Sequence, residues 1–408
     1  MKNIIYKRNF YQRQITPWID KSVIKVLTGM RRVGKSCLLR QVMDEREAAG
    51  IPKGNLIWID KESVDFDFIE TYKHLIEHLE GLRISSPFVE GMKYLFIDEV
   101  QEITGWERAV TSLLKDGDWD IYLTGSNAHM LSSELATLLS GRYVEIAVYP
   151  LSLPEFLRFN GLEKDRVREI LPLYLRHGGF PALHQFQGNE TTVYQYINSL
   201  YDTIVLKDIV SRHELRNVPL FQQISRFVFD NIGNPFSAKR VADYLKSQRL
   251  KVTVDTVQNY LGYLTETFAL YQVRRYDIKG RRHLEIYDKY YLGDIGLRNA
   301  QLGYRNDAIS GLLENLVFLE LRRRGHRVDI GKIGDAEVDF VASSENGVHY
   351  WQVCYLLASE ETLDREFGAL ARIPDNHPKT VLSLDPVSPG NRNGISWISI
   401  IDFLMGNG

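Results

Sequence analysis

The stretch GMRRVGKS, from Gly29 to Ser36, decides how the first third of the chain folds. It fits the spacing G-x-x-x-x-G-K-[ST], and an apolar, β-branched run at 23–28 (VIKVLT) precedes it, as a buried strand would. The segment after it carries apolar residues at helical spacing and ends at Gly50, which predicts an amphipathic helix. A strand, a glycine loop and a helix in this order predict a loop that binds phosphate groups.

The residue types of this loop suit a nucleotide phosphate and its metal ion. Glycines let backbone N–H groups close around phosphates, and the helix N-terminus adds the positive end of a dipole. Lys35 is placed to reach the β- and γ-phosphates, and the Ser36 hydroxyl to hold Mg²⁺. The residues predicted to contact the nucleotide are Gly29, Arg31, Arg32, Val33, Gly34, Lys35, Ser36 and Cys37.

The apolar run YLFID at 94–98 ends in an acid, Asp98, and a second acid, Glu99, follows it. Asp98 would lie at the carboxyl end of a strand, where open α/β sheets bind ligands, and would orient the Mg²⁺ shell together with Ser36. Glu99, the next residue, is placed to polarise an attacking water. Asp and Glu also begin ordinary loops, but behind a phosphate loop the pair predicts a hydrolytic site with Glu99 as its catalytic residue.

Two further segments offer polar groups to the same chemistry. The run DIYLT at 120–124 ends in GSNA, where Ser126 or Asn127 could hydrogen-bond the γ-phosphate or the water. We take Asn127 as the catalytic candidate; a plain turn is the alternative. Arg142, in LSGRYVEI, is a candidate for the arginine that stabilises charge in the transition state, acting in cis or on a neighbouring chain. A surface ion pair is the alternative for Arg142.

Strands predicted at 23–28, 55–60, 94–98, 120–124 and 143–149, with helices between them, give a parallel α/β sheet. The segments GMRRVGKS, YLFIDEV, IYLTGSNA, LSGRYVEIAVYPLSLPEF and HGGFP (177–181) are together similar to those of the predicted AAA+ superfamily ATPases of bacteria and archaea. Those proteins carry an additional C-terminal domain of unknown function. The resemblance covers nearly the whole chain and implies ATP as the nucleotide, Mg²⁺ as the cofactor and ATP hydrolysis as the activity.

The middle of the chain predicts a helical lid or linker at 156–235 and a winged-helix-like domain at 236–300. The second of these has two short amphipathic helices and then a hairpin, LYQVRRYD and HLEIYDKY around Gly280. Residues 236–290 hold 11 Lys and Arg against 6 Asp and Glu, a local net charge of +5. The basic residues of the hairpin, the predicted wing, are Arg274, Arg275, Lys279, Arg281 and Arg282. Duplex DNA, a protein partner and a merely solvated edge are the alternatives for this surface.

The last segment, 301–408, predicts a helix with Glu314 and three short strands. This α/β pattern, with Asp339 in the second strand, resembles the core of the PD-(D/E)xK nucleases. In active members an acid and a lysine from the third strand complete a Mg²⁺ site. Here that strand carries Gln352 and Cys354 instead. Gln is a poorer ligand for a hard cation, and a neutral thiol cannot supply the charge of lysine. A degenerate fold kept for binding or scaffolding is therefore expected rather than a nuclease.

Composition limits the remaining possibilities. The chain of 408 residues is 44% hydrophobic and 25% charged, with a net charge of −2, which excludes a disordered chain and a chain that only coats nucleic acid. No apolar run approaches the roughly 18 residues of a membrane span, and two cysteines cannot form a disulfide framework. We expect a cytoplasmic protein without a membrane partner.

The AAA+ domain is expected at 1–155, followed by the three segments above. Three functions compete: a DNA-engaging ATPase, a nucleotide-gated switch on protein partners, and a nuclease licensed by ATP.

Overall fold

The computed structural model describes residues 6–85, 88–128, 139, 141–186, 189–284, 287–386 and 390–406 of the chain. The chain forms two compact units, Met1–Val148 and Tyr149–Gly408. The first unit ends seven residues before the expected end of the ATPase domain at 155. The finer division of the chain into four domains stays a prediction. Within the described ranges, every helix is too short or too polar to cross a lipid bilayer.

The first unit is built on a parallel sheet of five strands in the order β2-β3-β4-β1-β5. The five strands that the apolar runs predict are all confirmed, with ends that differ by at most two residues. The elements of this unit are α1 (Asn9–Ile15), β1 (Ile24–Thr28), α2 (Lys35–Ala48), β2 (Leu56–Asp60), α3 (Tyr72–Ser85), β3 (Lys93–Asp98), α4 (Trp106–Asp116), β4 (Trp119–Gly125) and β5 (Tyr143–Ala147).

Alternate residues of these strands fill the two faces of the sheet. On one face, Val26, Ile97 and Leu123 pack with Leu75 of α3 and Val110 of α4 in a continuous apolar core. Helix α2 packs on β3 and β4. Because all five strands are parallel, the carboxyl ends of β1, β3 and β4 meet at one edge, and α2 begins at that same edge.

The second unit combines helices with a mixed sheet of eight strands in the order β14-β15-β13-β12-β11-β10-β7-β8. Its helices are α5 (Leu153–Phe159), α6 (Val167–His177), α7 (Glu190–Tyr201), α8 (Asp208–His213), α9 (Val218–Asp230), α10 (Ala238–Ser247), α11 (Val254–Glu266), α12 (Ile295–Leu302), α13 (Ile309–Arg323), α14 (Glu360–Ala371) and α15 (Ile400–Met405). Its strands are β6 (Leu270–Val273), β7 (Arg275–Asp277), β8 (Arg282–His283), β9 (Lys289–Leu292), β10 (Arg327–Ile333), β11 (Ala336–Ser344), β12 (Gly347–Val353), β13 (Lys379–Ser383), β14 (Gly390–Arg392) and β15 (Ile395–Ser399).

The strand pairing does not follow the expected boundary at residue 300. Strands β7 and β8 form the hairpin of the predicted wing, and Tyr276 lies opposite His283. The other edge of β7 pairs in parallel with β10, so the hairpin completes the sheet of the C-terminal segment. Strands β6 and β9 form a separate two-stranded ladder. Strands β7 and β8 of residues 236–300 therefore share a sheet with strands of residues 301–408. Glu285 and Ile286 of the predicted hairpin lie outside the described residues.

The glycines of HGGFP pack against the segment that leads into α12. Asp294 accepts hydrogen bonds from the backbone N–H of Gly179 at 2.7 Å and of Gly296 at 2.8 Å. A Cβ on Gly178, whose φ is +75°, would lie 1.9 Å from a carboxylate oxygen of Asp294. A Cβ on Gly296 would lie 2.2 Å from the carbonyl oxygen of His177. Close backbone packing thus explains why this motif needs glycine.

Candidate nucleotide site

The glycine loop follows β1 and turns directly into α2. Gly29 has φ +142°, and a Cβ there would lie 2.2 Å from the carbonyl oxygen of Val148. Gly34, with φ +98°, is the N-cap of α2. Because glycine has no side chain, it leaves the first N–H groups of the helix open to another acceptor. The loop therefore presents backbone donors where a phosphate would need them.

Lys35 is folded back over this loop. Its Nζ donates to the carbonyl oxygens of Gly29 at 2.9 Å and Met30 at 3.1 Å, and it lies 3.7 Å from a carboxylate oxygen of Glu99. Only 4% of the side chain is exposed. Burial lowers the pKa of Lys35, while the neighbouring carboxylates of Glu99 and Asp98 act in the opposite direction. The amine is thus held at the centre of the loop, beside the two acids.

Asp98 ends β3 and is almost fully buried. It accepts hydrogen bonds from the hydroxyls of Ser36 and Thr124. Burial raises the pKa of Asp98 above its ordinary value, although these two hydrogen bonds and the charge of Lys35 oppose that shift. The structure therefore brings together the hydroxyl and the carboxylate that the sequence assigns to Mg²⁺, and oxygen donors of this kind are what that ion prefers.

Glu99 follows Asp98 in a left-handed backbone conformation, with φ +53°. Its backbone N–H donates to Thr124 Oγ1 at 2.9 Å, and its carboxylate accepts from Ser126 Oγ at 2.8 Å and from the side chain of Gln101. Burial raises the pKa of Glu99, but Lys35 and the hydrogen bonds from Gln101 and Ser126 outweigh it and leave the pKa below its ordinary value. Glu99 is therefore held as a carboxylate in a strained conformation, a frequent feature of active sites.

Two supporting residues escaped the sequence prediction. Thr124 is the last residue but one of β4 and connects the two acids. Only its position near the carboxyl end of a strand could have indicated it. Arg8, which is 3% exposed, donates from Nη1 to the carbonyl oxygen of Val33 in the loop at 2.9 Å. Its guanidinium also lies 4.5 Å from the ring centre of Tyr11. Because 25 residues separate Arg8 from Val33, no local pattern points to this contact.

The other predicted loop residues lie at the rim. Arg31 pairs with Glu62 at 2.9 Å, and Arg32 is exposed with φ +65°. Cys37, in the first turn of α2, is exposed. Asn127 lies two residues beyond β4, at the same sheet edge, but the side chain that donates to Glu99 there is Ser126.

Arg142 lies at the end of the sheet where the parallel strands begin, away from the glycine loop. Tyr143 pairs with Ile24 at the start of β1, whereas the loop follows the end of that strand. At about 3.3 Å per residue, the five residues of β1 separate Arg142 from the loop by roughly 16 Å. Parallel pairing therefore places Arg142 away from its own loop, which weighs against an action in cis, although that alternative also stays a prediction. An action on a neighbouring chain stays a prediction.

The predicted wing presents its basic residues at the surface. Arg274, Lys279, Arg281 and Arg282 are exposed, and Arg275 is half-buried. None of the four exposed residues forms an ion pair with a carboxylate in the part of the chain that the structure describes.

A second polar cluster lies in the C-terminal segment, where Glu314 and Asp339 converge as the sequence predicts. Cys354 is buried close to the carbonyl oxygen of Leu382, and burial raises the pKa of its thiol.

Comparison with known proteins agrees with this geometry. Residues 21–157 match the family described as AAA domain, and residues 168–308 match a domain of unknown function, DUF8612. An uncharacterised protein of Haemophilus influenzae is 33% identical over 99% of this chain and 100% of its own length. An uncharacterised protein of Methanocaldococcus jannaschii is 30% identical over 90% of this chain and 82% of its own.

A solved structure shares the fold. The Walker-type ATPase of Pyrococcus abyssi superposes with a TM-score of 0.50, at 18% identity, over 74% of this chain and 96% of its own. The parallel sheet, the glycine loop at the start of α2 and the two acids after β3 are thus found together with a matching family and a matching fold. The chain belongs to the AAA+ superfamily of P-loop ATPases.

Proposed function

We propose that this chain binds ATP together with Mg²⁺ at the loop of residues 29–36 and hydrolyses it. The observation that carries the proposal is the position of Glu99, which lies beside Asp98 and 3.7 Å from the amine of Lys35. A charged carboxylate in that place is what the activation of a water for attack on a γ-phosphate requires.

Each residue of the site then has a role. The backbone N–H groups at the start of α2 bind phosphate oxygens, and Lys35 leaves its two carbonyl partners to neutralise the β- and γ-phosphates. Ser36 and Asp98 would hold Mg²⁺, which supplies charge neutralisation on the phosphate oxygens when it is bound. Glu99 orients and polarises the water, and Thr124 and Ser126 fix the position of Glu99.

Steady-state ATP hydrolysis by Glu99→Gln tests this assignment. The substitution keeps the shape of the side chain and removes its charge. We expect the hydrolysis rate to fall about 100-fold or more, the usual contribution of a general base, while ATP binding is retained. Glu102→Gln, in the same loop, is the matched control and should hydrolyse at the wild-type rate. A Glu99→Gln protein with full activity would contradict the assignment.

Two finer roles belong to the same proposal. ATP turnover drives a conformational change, for which limited proteolysis with and without nucleotide is the test; identical digestion patterns would count against it. The change acts on duplex DNA through the predicted wing. In the part of the chain that the structure describes, Arg274, Lys279, Arg281 and Arg282 form no ion pair with a carboxylate. This supports DNA, because such charges can neutralise phosphates.

DNA titrated into the ATPase assay at two salt concentrations tests the second role. We expect stimulation that decreases with salt, and a weaker salt dependence for the variant with Arg281→Ala and Arg282→Ala. Each lost phosphate contact lowers the slope of log affinity against log salt by about 0.9. Lys164→Ala, which removes an exposed charge elsewhere, is the control. Turnover indifferent to DNA would favour the alternative, a slow nucleotide-gated switch that acts on protein partners through the same cationic hairpin.

A further inference from the structure

Strand β9 carries a buried lysine that lies among three carboxylates. Lys289 is 2% exposed. Its Nζ lies 2.7 Å from an oxygen of Glu337, 2.9 Å from one of Glu314 and 3.7 Å from one of Asp339. These acids come from α13 and β11, so the cluster joins a strand of the predicted winged-helix segment to two elements of the C-terminal sheet region. We call the three acids Glu314, Glu337 and Asp339 the carboxylate cage.

The walls of the carboxylate cage are fixed by neutral hydrogen-bonding groups. The Tyr291 hydroxyl donates to the same oxygen of Glu314 that Lys289 contacts, at 2.5 Å. Asp339 accepts from the backbone N–H of Val353 at 2.8 Å, and its own N–H donates to the side-chain oxygen of Gln352 at 3.3 Å. Gln352 is the residue that stands where the resemblance to the nuclease core implies an acid. In this structure it braces Asp339 instead of supplying a further charge.

The ammonium of Lys289 is charged in this setting. Burial lowers the pKa of Lys289, but the carboxylates of Glu314, Asp339 and Glu337 outweigh burial and raise the pKa above its ordinary value. An ammonium has three N–H donors and no acceptor, so it can donate to Glu314 and Glu337 together while Asp339 lies 3.7 Å away. A donor set made only of oxygens is also the set that hard divalent cations prefer. One cation at this position therefore excludes a second by occupying its ligands and by repulsion.

We propose that Lys289 acts as a tethered cation that fills the carboxylate cage and closes it to divalent metal ions. In the described residues, no group of three or more His, Cys, Asp and Glu side chains is arranged to hold a metal. Once the ammonium is removed, the same carboxylates can close around a metal ion. The cage of the unaltered chain then serves to join β9 to α13 and β11, and it holds no hydrolytic metal.

Manganese binding by Lys289→Ala tests the proposal directly. The experiment uses the full chain without nucleotide and in a Ser36→Ala background, which removes a metal ligand of the nucleotide site. We expect Lys289→Ala to unfold at a lower temperature than its parent in chelator and to recover several degrees when Mn²⁺ is added. Electron paramagnetic resonance should detect Mn²⁺ binding at least about tenfold tighter than in the parent, a difference that also predicts the thermal shift.

Asp339→Asn added to Lys289→Ala is the matched control, because it removes one carboxylate of the cage and should abolish the gained binding. A folded Lys289→Ala protein that gains no Mn²⁺ binding would overturn the proposal. The parent with Lys289 intact gives a second reading that does not depend on folding of the variant. We expect this parent not to bind Mn²⁺ at the cage. If the parent does bind Mn²⁺ and Asp339→Asn abolishes that binding, the ammonium does not close the site.

Discussion

Thr124 connects the two acids of the nucleotide site, because its hydroxyl donates to Asp98 and accepts from the backbone N–H of Glu99. Thr124→Val keeps the shape of the side chain and removes both hydrogen bonds. We expect ATP hydrolysis to fall about tenfold or more, since loss of a positioning hydrogen bond costs roughly 1–3 kcal/mol, while ATP binding changes little. Steady-state hydrolysis and equilibrium binding, measured on the same preparation, separate the two effects.

Thr111 offers the matched control for that substitution. Its hydroxyl is buried in α4 and has no hydrogen-bond partner in the part of the chain that the structure describes. Thr111→Val should therefore leave hydrolysis at the wild-type rate. Equal losses in both variants would mean that threonine hydroxyls act on the rate through general stability, and the role assigned to Thr124 would be lost.

Gly29 is required by both its backbone conformation and its surroundings. Gly29→Ala places a Cβ 2.2 Å from the carbonyl oxygen of Val148 at φ +142°. We expect the free energy of unfolding to fall by about 2 kcal/mol or more, because the clash adds to a strain of roughly 1–3 kcal/mol. Gly50→Ala is the control: φ is +91° there, but no atom lies within 4 Å of the added Cβ. Urea unfolding of the two variants should rank Gly29→Ala as clearly the less stable.

Helix α12 begins with a buried acid whose titration reaches the neutral range. Burial raises the pKa of Asp294 to about 7, although hydrogen bonds from the backbone of Gly179 and Gly296 oppose the shift. The folded chain therefore holds a proton that the unfolded chain releases near pH 4. The free energy of unfolding should fall by roughly 2–4 kcal/mol as pH rises from about 4 to 7, and then level off.

Urea unfolding at several pH values, for wild type and Asp294→Asn, measures this effect. The variant should lack the part of the pH dependence that lies between pH 4 and 7, because it has no proton to release. Asp307→Asn removes an exposed acid of the same segment and should follow the wild-type profile. Parallel curves for wild type and Asp294→Asn would show that Asp294 is charged in the folded chain at all these pH values.

The elements that the sequence predicts well are those with local signals. Buried β-branched runs predict all five strands of the first unit, and the spacing of Val241, Leu245, Val257 and Leu261 predicts α10 and α11, whose buried faces carry these residues. The spacing of the loop likewise indicates Lys35, and the end of the apolar run at 94–98 indicates Asp98 and Glu99.

Features that depend on distant pairing were not predicted. The pairing of β7 with β10 joins segments about 55 residues apart, and hydrophobic periodicity says nothing about which edges meet. The sequence does not indicate the contacts of Lys289, because the three acids around it are 25 to 50 residues away. The position of Arg142 similarly follows from the order of strands in the sheet, which a strand prediction leaves open.

At the scale of the whole molecule, Arg142 bears on assembly. Since it lies at the sheet edge opposite its own loop, we expect Arg142→Ala to keep wild-type ATP affinity and hydrolysis at dilutions where light scattering shows a single chain. A hydrolysis rate per chain that rises with protein concentration in the wild type, but not in Arg142→Ala, would indicate that Arg142 acts on a neighbouring chain. Loss of activity in the isolated chain would contradict the placement derived from β5.

The parallel pairing of β7 with β10 also limits how this chain can be cut, fused or inherited. The match to DUF8612 ends at residue 308, between these two strands. A fragment ending there would carry β7 with an open edge, and a fragment beginning there would carry β10 with another. Unpaired strand edges recruit other chains and favour aggregation. Recombination within 275–333 would thus separate two paired strands. We therefore expect this region to be inherited as one unit.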